Sequence, residues 1–333
     1  MRKISIILAS LACIYACEKP LSGPAAPESV MGELNVSIER SDIDTKASYT
    51  TVLDEEKVEK RVSVLVFNKS NKRLDAYKEI SSSSANCSMS IPTGEKVIYV
   101  VINGPSLSSI TSESELNAIV DDFSSTSIAA NGLTMMGKNE ATVSVGTSAT
   151  VPVIVNRLAS RIVLQGITNN IPAQYGKIRL ESVFLANAYS KCTIGGVSSD
   201  MVNMDGFEDG LAKTKPIGKN GNTGLCPSYL YKSIGSDLLV GSTNSAPYIL
   251  YAHPNSSATY TKLMLYVTYG GNLSGYYPVE LNKKLKANTT YTISLTLKNV
   301  PVPDPDDNFE VGSSSITITV KDWTTGDEYN LTM

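Results

Sequence analysis

Apolar and polar residues alternate through much of this chain with a period of two, the spacing of a strand with one buried face. Residues 33–39 (ELNVSIE) set Leu34, Val36 and Ile38 against polar neighbours and predict a half-buried strand. Residues 61–68 (RVSVLVFN) and 96–103 (KVIYVVIN) are near-continuous apolar runs rich in β-branched side chains, suited to central strands. Residues 142–145 and 151–155 predict two more, joined by a Gly-Thr-Ser turn, and 178–186, 248–252, 262–269 and 276–281 continue the style. The cleanest alternation is 290–298, with Tyr291, Ile293, Leu295 and Leu297 on one side and Thr290, Thr292, Ser294 and Thr296 on the other. One helix is predicted: Ser112 caps it, Glu115 reaches back, and Leu116, Ile119, Val120 and Phe123 share a face. Glycine and asparagine clusters at 195–224 and 270–275 mark long loops or hairpin turns. Many short strands with one helix point to an all-β protein of two β-sandwich domains, the short helix in the first, with a boundary near 156–162 and no obvious internal sequence repeat.

Length agrees with two domains, since 333 residues at roughly 100–200 per domain allow two cores. A formal net charge of −3 leaves no basic excess to neutralise phosphates, so nucleic acid is not an expected partner. At the N-terminus Arg2 and Lys3 precede an apolar run over 4–15 that ends at Ala16-Cys17. That run is too short to span a bilayer and reads as an export signal. Its ending looks like a bacterial lipobox with Cys17 as the acylated residue; Cys13 is a weaker candidate because Ser10 stands where a branched apolar residue is preferred. A plain signal peptide that contains a cysteine is the alternative. Residues 18–32 are rich in Pro, Gly, Ser and Ala and read as a flexible tether. Cys87, Cys192 and Cys226 form no CxxC pair, so buried free thiols are expected, with one bridge left open.

Catalytic chemistry is sparse. The single histidine, His253, ends a predicted strand, where a structural role is commoner than catalysis, and no GxSxG elbow surrounds a serine. Residues 218–224 (GKNGNTG) lack the ending of a phosphate-binding loop, and 304–308 (DPDDN) lack the spacing of a calcium loop. Glu55-Glu56 and Asp121-Asp122 sit in ordinary polar contexts. No catalytic residue, cofactor or metal is assigned, and an enzyme is not expected.

Four segments, in order, resemble the fimbrillin family, the type V pilins of Bacteroidales. They are the lipobox at Cys17 with its tether and lone strand; 54–68 (DEEKVEKRVSVLVFN); 156–164 (NRLASRIVL); and ANTTYTISLTLKN, a Pro/Asp linker and ITITVKDW ending at Trp323. The resemblance implies two transthyretin-like sandwiches and a lipidated precursor carried to the outer membrane. It also implies a trypsin-like, arginine-specific protease that removes the N-terminal strand, and a groove that accepts a C-terminal strand from another subunit. The candidate removed strand presents Leu34, Val36 and Ile38, and the candidate donor presents Ile316, Ile318 and Val320 at the same spacing. Either set can fill one apolar groove, although two ordinary core strands of a closed sandwich would look the same. Arg40, directly after the strand in a polar and accessible segment, is the candidate cleavage residue, with Lys46 as alternative; the stretch after Arg40 is longer than the family pattern.

This reading divides the chain into a signal peptide (1–17), a tether with removable strand (18–46), an N-terminal sandwich (47–158) and a C-terminal sandwich (159–333) with a donor extension from about 301. The expected function is a structural subunit, a stalk pilin of a surface pilus that supports adhesion. Its partners are other pilin subunits including tip and anchor, the outer membrane through lipid, and the processing protease. A tip or anchor subunit is one alternative. Another is a monomeric surface lipoprotein binding glycans or host proteins, for which exposed Tyr229, Tyr231, Tyr276 and Tyr277 would serve as stacking surfaces, though they suit sandwich packing equally. A hydrolase using His253 is the weakest.

Overall fold

The computed structural model describes residues 30–40, 53–82, 84–123, 131–202, 229–244, 247–271, 273–281, 284–303, 315–322 and 329–332. The protein is mostly β. Its first strands are β1 (Met31–Arg40), β2 (Val62–Asn68), β3 (Leu74–Ile80), β4 (Asn86–Pro92), β5 (Gly94–Ile102), β6 (Val120–Asp122), β7 (Met135–Val143) and β8 (Ser148–Arg157). Seven of them follow one hydrogen-bonded path, β3-β2-β5-β7-β8-β1-β4. β7 and β8 pair only at Met135–Arg157 and Met136–Asn156, so the path folds into two layers, β3-β2-β5-β7 and β8-β1-β4. Apolar side chains fill the space between, among them Leu34, Val36 and Ile38 of β1, Val64 of β2, Cys87 and Ile91 of β4, Val100 of β5 and Val153 of β8. Period-two strands with one apolar face pack in this way because each layer buries a single face.

The remaining strands are β9 (Ser160–Asn169), β10 (Ile178–Ala186), β11 (Ala188–Thr193), β12 (Ser198–Val202), β13 (Tyr231–Leu238), β14 (Thr243–Asn244), β15 (Tyr248–Ala252), β16 (Lys262–Tyr269), β17 (Leu273–Glu280), β18 (Thr289–Leu297), β19 (Ser315–Asp322) and β20 (Tyr329–Thr332). They repeat the first topology without repeating its sequence. The antiparallel order β13-β10-β16-β17 matches β3-β2-β5-β7. β9 lies parallel to β18 and antiparallel to β15, as β1 lies parallel to β8 and antiparallel to β4. β1 and β9 are therefore equivalent strands. The repeat has one addition, for β18 also takes β19 on its other edge. β6 joins β11 and β12 in a small sheet between the two halves.

The chain crosses from β8 to β9 over Leu158 and Ala159. The junction is closed by Phe123, Leu133, Ala159, Tyr229, Ile249 and Tyr251. The α-helix α1 (Glu113–Ala118) is capped as expected, the Glu115 N–H donating to Ser112 Oγ at 3.3 Å. It is shorter than the apolar spacing suggests. Glu115 reaches back to the Thr111 N–H, Ile119 already has extended geometry, and Val120 enters β6 with its side chain exposed. Ladder bonds to β11 replace the helical bonds that those residues would otherwise make.

Candidate functional site: the β1 slot and the C-terminal hairpin

β1 sits inside a layer rather than at its edge. It pairs with β8 from Glu33↔Ser148 to Arg40↔Val155 and with β4 from Met31↔Pro92 to Ser37↔Asn86. Leu34, Val36 and Ile38 point into the core and are at most 4% exposed. Fully burying a branched aliphatic side chain stabilises by about 1.5–3 kcal/mol, so this triplet is a large share of what β1 contributes. The inward row ends at Gly32, where a Cβ would stand 2.6 Å from the Ser144 carbonyl oxygen and 2.7 Å from Val143 Cγ1. On the outer face Asn35 ties both neighbours together: its amide donates to Ser148 Oγ at 2.6 Å and its carbonyl accepts from Ser88 Oγ at 2.5 Å.

Arg40 is the last residue of β1, not the first residue after it. Its guanidinium forks onto Glu59, Nε donating to Oε1 at 2.7 Å and Nη2 to Oε2 at 2.8 Å, and Nη2 also donates to the Ser82 carbonyl at 3.0 Å. The side chain is 29% exposed, and bonding to the Glu59 carboxylate holds its proton above the ordinary arginine value. The expectation of an accessible arginine in a polar segment is thus corrected. The bidentate pair to Glu59 in the lead to β2 was not legible in the pattern, because nineteen residues separate the partners.

The turn that follows also belongs to the site's frame. Glu56 is buried at the junction, its Oε1 accepting from Tyr251 OH at 2.6 Å and lying 2.7 Å from Arg161 Nε. Its Oε2 accepts the Leu53 N–H at 3.0 Å, and its backbone carbonyl accepts from Arg157 Nη2 at 3.2 Å. Residues 53–57 are thereby fastened to both halves. Burial of Arg157 lowers its proton affinity, the main cause being loss of solvent around the charge.

At the other end of the chain, β19 lies antiparallel on β18 and carries β20 on its far side. Ile316, Ile318 and Val320 stand in register opposite Leu295, Ile293 and Tyr291, three core residues of β18. The segment before β19 is not a free arm where it is described. Val302 exchanges two backbone bonds with Tyr276, at 2.7 and 3.0 Å, and the Asn299 carbonyl accepts from Tyr277 OH at 2.8 Å. Gly275 permits this approach, since a Cβ there would stand 2.8 Å from the Val302 carbonyl oxygen.

The stacking surface required by the glycan-binding alternative is not present at these tyrosines. Tyr229, Tyr276 and Tyr277 are buried, and half-buried Tyr231 stacks on Phe184 with ring centroids 6.5 Å apart. His253 is buried and stacked on Phe123 at 4.1 Å, and desolvation lowers its pKa to about 3. Asp121 Oδ2 lies 3.5 Å from His253 Nε2, and burial raises the Asp121 pKa to about 6. Cys87 and Cys192 are free and buried. Among the described residues no cluster of His, Cys, Asp or Glu could hold a metal, and no helix is long and apolar enough to cross a membrane. Cys13, Cys17, Lys46, Cys226, Trp323 and the stretches 218–224 and 304–308 lie outside the described residues.

Residues 33–173 match the family model of the major fimbrial subunit protein (FimA). Over that span the chain is similar to the FimA fimbrial subunit family. The FimA-type region takes in the strand triplet of β1, the whole first sandwich and β9. The family is one of structural subunits and not of enzymes. No curated protein matches the sequence. Among solved structures, a candidate cell adhesion protein from Parabacteroides distasonis superposes with a TM-score of 0.64 at 19% identity, covering 90% of this chain and 99% of that one. A second, from Bacteroides eggerthii, gives 0.63 at 19% identity over 89% and 97% of the two chains. A fimbrilin (FimA) from Porphyromonas gingivalis W83 gives 0.61 at 17% identity over 88% and 98%. These matches establish a shared fold along nearly the whole chain.

Proposed function

We propose that this protein is a stalk subunit of a cell-surface pilus, assembled by exchange of β1 for the C-terminal strand of another copy. The observation that carries the reading is the place of β1: central in its layer, buried through Leu34, Val36 and Ile38, and first among the described strands. Its departure would unpair β4 and β8 together and open a core groove lined by Cys87, Ile91 and Val153. The equivalent strand β9 cannot leave in this way, because β8 and β10 continue it on both sides. β19 suits the vacancy. Its triplet repeats the spacing of β1, and it already pairs with a core strand as the penultimate strand of its sheet.

In this account the two halves, 47–158 and 159–333, are transthyretin-like sandwich domains. The chain is exported with a signal peptide, acylated at Cys17 and held at the outer membrane until a trypsin-like protease cuts after Arg40, or after Lys46. Fibre formation then supports adhesion. The test uses purified protein starting at residue 18, treated briefly with trypsin and read by intact mass and by unheated denaturing gel. Loss of the segment up to Arg40 or Lys46, followed by a heat-sensitive oligomer ladder, is the expected result. A trimmed protein that stays monomeric at high concentration contradicts strand exchange and favours a monomeric surface lipoprotein.

A further inference from the structure

The chain enters the first sandwich at the end away from the junction, and apolar side chains stand exposed around the point of entry. β1 and β8 start at this outer end, and the β2–β3, β4–β5 and β7–β8 turns lie there too. Val30 is 54% exposed, Met31 46% and Val145 61%. The backbone holds the three near one another. A Cβ on Gly32 would stand 2.6 Å from the Ser144 carbonyl oxygen, which sets the start of β1 beside the turn that bears Val145. The Thr93 N–H donates to the Val30 carbonyl at 2.9 Å and fixes Val30 against the β4–β5 turn. Exposed apolar groups gathered on ordered backbone at one end of a molecule mark an interaction surface.

Two further observations say what covers it. Cys17, the proposed acylation site, stands twelve residues before Val30 in the chain. Those residues reach at most about 45 Å, so the lipid attaches to the folded body at the patch and nowhere else. Val30 and Met31 also leave with β1 at the proposed cut after Arg40, which takes two of the three side chains away. The patch is therefore whole only in the chain that still carries its lipid, before any exchange of strands.

We infer that in the lipidated precursor this outer end rests on the lipid surface, with Val30, Met31 and Val145 entering the boundary between headgroups and acyl chains. The inference rests on the reading of Cys17 as acylated and adds an orientation to it. A lipid on a tether alone leaves the body free to turn, whereas a second, apolar contact fixes which end faces the bilayer. Nine strand steps from Met31 to Arg40 then hold the cleavage residue about 30 Å from the surface, on the side open to a soluble protease. Cutting releases the subunit twice over, since it removes the tether and most of the patch together.

The test uses the chain starting at Cys17, with Cys226→Ser and Trp323→Phe, coupled through the Cys17 thiol to maleimide-bearing vesicles of brominated phosphatidylcholine. Cys87 and Cys192 are buried and stay unreacted. One tryptophan is then placed as reporter, Val145→Trp at the outer end or Val240→Trp in the second half. Both positions are exposed, so the fold should hold, and a thermal melt checks it. Bromine quenches only a side chain that enters the lipid, so quenching of Val145→Trp should exceed that of Val240→Trp at least about threefold. Adding Val30→Ser and Met31→Ser should bring the two values together. Equal quenching at both positions without those changes overturns the patch and leaves acylation standing, because the anchor here is attached chemically. Intact mass of the chain extracted from outer membranes tests acylation itself, and a Cys17 without acyl groups overturns that reading and this inference with it.

Discussion

Val36 of β1 stands directly opposite Cys87 of β4 in the antiparallel ladder, and both side chains are closed off from solvent. The thiol is thus a reporter inside the slot. Loss of surrounding solvent raises its pKa, which suppresses the reactive thiolate. Alkylation of Cys87 should be slow in the uncut chain and rise on the order of a hundredfold once β1 is gone, then fall again as a strand refills the slot. Peptide mass mapping of the alkylated site after timed quenching reads the three stages.

The Arg40–Glu59 fork makes cleavage depend on local opening. Glu59→Ala should raise the rate of trypsin cleavage after Arg40 by about fivefold, the size expected for losing a partly exposed ion pair. Lys46→Gln removes the competing site and keeps the comparison clean. An unchanged rate would mean that Arg40 is cut from the closed ladder, or that opening is limited by β1's pairing with β8.

Glu56 joins the inter-strand lead to both halves, and its loss should be costly. Glu56→Ala removes the carboxylate that faces Arg161 and Tyr251 in a buried site, a change that destabilises by about 3–5 kcal/mol. Glu56→Gln retains shape and one acceptor, and should cost less. Urea unfolding of the uncut chain measures both.

Burial of Asp121 and of His253 gives two opposed pH dependences. His253 has a folded pKa near 3 against 6.5 unfolded, so its contribution is present above pH 6.5 and is lost as pH falls from 6.5 towards 3. Asp121 has a folded pKa near 6 against 3.8 unfolded, so its contribution is full below 3.8 and is lost as pH rises towards 6. Between about pH 4 and 6 the two slopes offset each other. Asp121→Asn removes one, and its stability should then fall more steeply than that of wild type on acidification across this window.

Much of the fold was legible because period-two alternation survives wherever one face meets water. β1, β8 and β18 follow the Leu34, Val151 and Tyr291 series, and Ser112 caps α1. Weakly patterned edges were not legible. β3 (LDAYKEI) and β4 (NCSMSIP) carry mixed faces, and their strand character comes from ladder bonds to β2 and β1. The 156–162 stretch reads as a boundary in sequence, and it does contain the Leu158–Ala159 crossing, yet Arg161 and Ile162 already belong to β9. Contacts that join distant segments, such as Arg40–Glu59 and Glu56–Arg161, leave no local trace. The sequence left four tyrosines equally suited to stacking and to packing, because it carries no sign of the layers that cover Tyr276 and Tyr277.

The most direct test of strand exchange uses the same thiol. A chain carrying Ile318→Cys, on a Cys226→Ser background, is trimmed, allowed to assemble and oxidised mildly. If β19 of one copy replaces β1 of another in the same direction, with Ile318 taking the place of Val36, residue 318 comes opposite Cys87 of the neighbour. Mass spectrometry should then find a disulfide between residue 318 and Cys87 joining different chains, with Ile316→Cys and Val320→Cys reacting less. Assembly without any disulfide from these three positions to Cys87 of another chain would contradict the account.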